Sequence, residues 1–137
     1  MAEVDRRLGM KLEAVVTQFF AAGKTAAASN DDSELHAFRI AVKRLRYTIE
    51  ILDPDGGREW LKRLRLVQKE LGQMNDAVVA ERYLNSIPKL SQAAKPIPAK
   101  LKAEAQSHIA AFRKTWQRSF GIRSEKAWLT WARAIEY

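Results

Sequence analysis

The sequence predicts an all-α fold, an antiparallel four-helix bundle with a short additional C-terminal helix. Three observations predict it. Apolar residues recur at three- and four-residue steps through most of the chain, the spacing that lines one face of an α-helix. No strand-like alternation stands out. The pattern breaks where Ser-Asn-Asp, Pro-Gly or proline clusters stand, all of them turn or breaker signals. The 137 residues are expected to form one helical domain, with a hydrophobic content of 47% to fill one core.

The first helix is predicted from Val4 to Ala28, with Leu8, Leu12, Val15, Phe19 and Ala22 facing inward. Ser29, Asn30 and Asp31 interrupt it, and Asp32 or Ser33 is placed to cap the next helix by accepting a free backbone N–H. The second helix runs from about Glu34 to Leu52. Its seam, Leu35, Phe38, Val42, Leu45, Ile49 and Leu52, alternates three- and four-residue steps as a bundle contact does. Asp53-Pro54-Asp55-Gly56-Gly57 stops it, because proline cannot continue a helix and glycine tolerates positive φ.

A third helix starts near Arg58 or Glu59, carries Trp60, Leu64, Val67, Leu71, Met74 and Val78 inward, and continues through Tyr83 and Leu84. Gly72 inside it costs about 1 kcal/mol relative to alanine, so it is expected to mark a kink or a close helix contact. Residues 86–98 hold three of the four prolines and read as a linker. The fourth helix is predicted from Ala99 to Phe120, with Leu101, Ala105, Ile109, Phe112 and Trp116 inward and Gly121 ending it. Ser124 is placed to cap the last helix, which carries Trp128, Leu129, Trp131, Ala132 and Ile135.

The net charge is +8, which points to a polyanionic partner: nucleic acid, an anionic membrane or a phosphate polymer. Cysteine is absent, which removes disulfides, thiolate chemistry and Cys-ligated zinc and fits a reducing compartment. No apolar run reaches membrane-spanning length. The charged N-terminal stretch lacks a signal-peptide core, so a cytoplasmic location without membrane insertion is expected.

The polar face of the second helix carries the most information. His36, Arg39, Lys43, Arg46 and Glu50 line up beside the apolar seam, with Arg44 and Tyr47 flanking them. Lys62, Arg65, Lys69, Gln73 and Asp76 form a similar row on the third helix. Two helices joined by a short turn lie antiparallel, so the rows can face each other across a groove. Like charges at this spacing repel, and a row needed only for solubility would mix signs. Guanidinium forks and ammonium points suit phosphate oxygens. A Lys/Arg row is equally what a plain solvated helix face presents, and His36 alone reads as a packing or capping residue.

Leu35-His36-Ala37-Phe38-Arg39-Ile40-Ala41-Val42-Lys43-Arg44-Leu45-Arg46-Tyr47 resembles the signature of the CHAD domain, the conserved-histidine α-helical domain. Leu66-Val67-Gln68-Lys69-Glu70-Leu71-Gly72-Gln73-Met74-Asn75-Asp76-Ala77 resembles its second block, which reads like L-G-x-x-N-D. The likeness is good over residues 33–85 and looser in the flanking helices. It implies a helical domain that binds inorganic polyphosphate in a basic central groove and associates with polyphosphate granules; no cofactor, no metal and no enzymatic activity are expected. It assigns phosphate contact to His36, Arg39, Lys43, Arg44 and Arg46, with Lys69 as a further contributor. Asn75, Asp76 and Tyr47 match the motif and are given structural or orienting roles. Lys62 and Arg65 are added on helical spacing alone.

The resembled family places two related bundles in one chain. This sequence holds one copy of each block and about half that length, and is closest to the C-terminal repeat. The expectation is a homodimer that rebuilds the two-bundle groove about a two-fold axis. Two other functions compete with polyphosphate binding. The charge allows RNA or other nucleic-acid binding, although Tyr47 is the only aromatic close to the stripe and no zinc-finger or RNP motif is present. An enzyme acting on polyphosphate would need metal-holding carboxylates and an activated nucleophile. Asp53 and Asp55 sit in a turn, Gly56-Gly57 is not a P-loop, and His36 and His108 lack metal-ligand spacing.

Overall fold

The computed structural model describes the backbone of residues 2–135 and the side chains of residues 12–121 and 123–135. Five helices follow one another: α1 (Ala2–Ala27), α2 (Asp32–Leu52), α3 (Arg58–Asn85), α4 (Ile97–Ser119) and α5 (Ile122–Ala134). No strand occurs among the described residues. No helix among them is long and apolar enough to cross a membrane.

The helix ends differ from the expected ones for identifiable reasons. Asp31, and not Asp32 or Ser33, caps α2. Its Oδ1 accepts the backbone N–H of Ser33 at 2.9 Å and the Ser33 hydroxyl at 2.8 Å. Asp32 is already helical, and its carboxylate is engaged by Arg82 of α3. α4 starts at Ile97 and not Ala99, because Pro98 falls in the first turn, where a missing N–H breaks no helical bond. Gly121 does not close α4. It has φ −75° and extended ψ, and precedes the first residue of α5. Ser124 lies inside α5, where its hydroxyl donates to the Ser119 carbonyl at 2.9 Å and holds the α4–α5 elbow.

Cross-helix pairs fix the directions. Arg82 with Asp32, Gln68 with Arg46, and Arg65 with Glu50 pair positions that ascend on one helix and descend on the other, so α2 and α3 are antiparallel. Lys24 with Glu125 and Glu13 with Arg133 give the same relation for α1 and α5. The result is a helical bundle in which α1 packs on α2 and α5, α2 on α3, and α3 most extensively on α4.

The predicted α2 seam is buried at Leu35, Phe38, Val42, Leu45 and Ile49, with Leu52 half-buried. On α3, Leu61, Leu64, Val67, Leu71, Met74 and Ala77 are buried, while Trp60 and Val78 lie at the edge of the core. α1 turns a wider face inward than expected: Leu12, Val16, Phe19, Phe20 and Ala26 are fully covered, and Val15 and Ala22 only partly. Leu8 lies outside the described side chains.

Phe19 and Phe20 of α1 meet Phe38, Phe112, Trp116, Phe120 and Trp128 in one aromatic cluster. Each such ring contributes about 1.5–3 kcal/mol through burial alone. α1 can approach α4 here because residue 23 is glycine. A Cβ at Gly23 would sit 2.1 Å from the Trp116 ring. Gly72 shows the opposite. No atom lies within 4 Å of where its Cβ would be, so it marks no close helix contact.

Candidate functional site

The α2–α3 hairpin positions the predicted site. A five-residue turn joins the helices, and Asp53 organises it: Oδ1 accepts the Gly56 N–H at 3.1 Å, and Oδ2 accepts the Trp131 indole N–H at 2.9 Å. The seam residues of both helices face the core, so the rows one position further round flank the line where the helices meet.

That line has three levels. At the end far from the turn, His36, Arg39, Asn75 and Arg82 line a crevice of about 130 Å³, with Met74 and Val78 supplying apolar wall and Asp32 the acid that pairs with Arg82. Nearest the turn, Arg46 is held from three sides. Its Nη1 donates to Gln68 Oε1 at 2.8 Å, its guanidinium lies 4.7 Å from the centre of the Tyr47 ring, and Glu50 stands 3.4 Å from Nε. Arg65 reaches the same Glu50 carboxylate at 3.7 Å. Glu50 thus neutralises this end of the row and braces two arginines.

Between these levels the α2 side offers Lys43 and the α3 side offers Gly72. Lys69 lies one turn before Gly72 on the same face of α3. Lys43 and Lys69 are exposed and Arg39 half-buried, and none makes an ion pair with a carboxylate among the described residues. The middle of the hairpin is therefore a cationic stretch whose charges are not internally compensated. Arg39 to Arg46 spans about 10 Å of axis at the standard rise per residue.

The structure does not bring every predicted residue here. Arg44 is exposed and shares its face of α2 with Ile40, Tyr47 and Ile51, about 100° round the helix from Lys43. Lys62 is exposed near the turn. Asp76 is exposed and orients no described side chain by an ion pair, whereas Asn75 is half-buried in the crevice wall. The sequence reading missed Arg82. Its signal was its position two turns beyond Asn75 on one α3 face, but only the cross-helix register shows that this face meets His36 and Arg39. His108 lies on α4, and no three His, Cys, Asp or Glu side chains among the described residues group as a metal site.

The site is thus a helical hairpin that carries Arg and Lys side chains without a described carboxylate partner along the contact of two antiparallel helices. The family model described as CHAD domain matches residues 2–85, and the chain belongs to this family. The match covers α1, α2 and α3, so both helices of the basic face lie within it, and it also takes in α1, where the motif likeness was loose. No curated protein and no solved structure matches the chain.

Proposed function

We propose that this chain binds inorganic polyphosphate along the α2–α3 face as a non-catalytic module. One observation carries the reading: Arg39 lines the α2–α3 crevice, Lys43 and Lys69 follow it at neighbouring helix positions, and none of the three has a described carboxylate partner. Membership of the CHAD domain family adds support, since the resemblance implies a basic groove for this polymer. Charge-assisted hydrogen bonds to phosphate contribute about 1.5–3 kcal/mol each, and several along one polymer add avidity. In this reading Arg46 is a pre-oriented contact, with Tyr47 and Gln68 as its supports. His36 and Arg82 bind at the crevice end, and Arg65 and Lys62 lie towards the turn.

The test is titration with long-chain polyphosphate. The variant carrying Arg39→Ala, Lys43→Ala and Lys69→Ala should keep its helical circular dichroism and lose at least 100-fold in affinity. An unchanged affinity would remove the site. Competition at matched salt with single-stranded RNA separates this reading from nucleic-acid binding. Phosphate release measured with and without Mg²⁺ checks the non-catalytic part. The same reading pairs two copies of the 137-residue domain across their basic faces, in the cytoplasm at polyphosphate granules. Light scattering that found only monomer, free and with polymer, would reject the pairing.

A further inference from the structure

Resting on that reading, we infer that Gly72 is a specificity determinant of the site. Its missing side chain leaves a bare patch where a thin, unbranched phosphate chain settles against α3 between the cations.

The position of Gly72 is set by its neighbours. On a helix surface it touches the positions three and four residues away: Gln68, Lys69, Asn75 and Asp76. Gln68 is bonded to Arg46, and Asn75 shares the crevice with His36 and Arg39. Gly72 therefore lies midway along the basic line, and the register that pairs Gln68 with Arg46 brings it opposite Val42 and Lys43. A Cβ added there would meet nothing within 4 Å, so no packing excludes a side chain at this position. Gly23 is the contrast, because there a Cβ would strike Trp116 and the fold itself requires glycine.

A mid-helix glycine carries a stability cost that alanine would remove. At Gly72 the fold gives no reason to bear it, and the setting is open space on the α3 surface, one turn from Lys69 and, by the Gln68–Arg46 register, across from Lys43. Without a side chain, those long cations can converge on one narrow anion lying close to the helix. A linear polyphosphate has no substituents and fits such a gap. A nucleic acid carries sugars and bases on each phosphate, so its backbone stays at side-chain reach, where the loss of the gap matters little.

The experiment compares the wild-type chain with Gly72→Ala and Gly72→Leu, titrated separately with long-chain polyphosphate and with single-stranded RNA of matched charge. Gly72→Ala should melt about 3–5 °C higher, as removal of an unneeded helix glycine does. Polyphosphate affinity should fall stepwise, several-fold for Ala and at least tenfold for Leu, while RNA affinity stays within twofold. Equal polyphosphate affinity in all three proteins overturns the inference and leaves the proposed function standing. Parallel losses for both polymers overturn the discrimination, making the glycine a general access point. A wild-type chain that does not bind polyphosphate overturns the proposed function, and the inference with it.

Discussion

Salt dependence offers the sharpest check on the proposed binding and on the cations assigned to it. A polyanion that neutralises Z protein charges releases counterions, and for single-stranded nucleic acids log K falls with log salt at a slope of about −0.7Z. Polyphosphate is likewise a flexible single chain. The face holds three cations without a described acidic partner, Arg39, Lys43 and Lys69, whereas Arg46 and Arg65 share Glu50 and Arg82 is paired with Asp32. With three uncompensated charges the slope is about −2, so raising salt from about 50 to 200 mM weakens binding about 20-fold. Removing Lys43 as Lys43→Ala should flatten the slope by about 0.7 and shrink that loss to about sevenfold. Arg44→Ala removes an equally exposed charge from a different face of α2 and should leave the slope unchanged. The assay is fluorescence polarisation of end-labelled polyphosphate at four or more salt concentrations. If Arg44→Ala flattens the slope as much as Lys43→Ala, attraction comes from the field of the whole protein and the α2–α3 groove has no special part in it.

Two further outcomes test the fold that carries the site. Gly23→Ala should lose about 2 kcal/mol in urea unfolding, because overpacking of up to ~3 kcal/mol against Trp116 outweighs a helix-propensity gain of ~1 kcal/mol; a variant as stable as wild type would contradict the close α1–α4 approach. Hydrogen bonds from the Ser33 hydroxyl and N–H hold the Asp31 carboxyl below its usual value of 3.8. Its contribution is therefore complete above that value and is lost as pH falls through the lower folded one. Asp31→Asn keeps an accepting oxygen for the cap but cannot titrate, so its stability should fall less steeply below pH 4 than that of wild type. Equal acid slopes would show that the cap carries no charge-dependent share.

The helices were legible because a three-four apolar rhythm has few other structural meanings. On α2 the inward face follows from Leu35 to Ile49 without error. Their ends were less legible, since several adjacent residues can cap. Asp31, Asp32 and Ser33 are all competent, and it is Asp31 that keeps an extended backbone and accepts the Ser33 N–H, while Asp32 pairs with Arg82 of α3. The α1 face was misjudged because its width depends on two partners at once, α2 and α5, and the second arrives from the far end of the chain. Gly23 carried no local signal, for its contact is a tryptophan on α4. The same division runs through the site. Arg39, Lys43 and Arg46 share a row by helix geometry alone, but the register that adds Arg82 and turns Arg44 aside exists only between helices.

Asp53 has a bearing on the part of the chain outside the family match. Its two carboxylate oxygens serve different masters: one closes the α2–α3 bend, the other accepts the indole of Trp131, whose ring also stacks on Trp60 near the start of α3. The tail is thus a buttress for the hinge end of the hairpin. Chains shortened before Trp131 would keep every cation of the basic face yet hold them on a looser frame. Natural variation or engineering at this tail would then tune how firmly the two basic helices are held together, without touching any of their basic side chains.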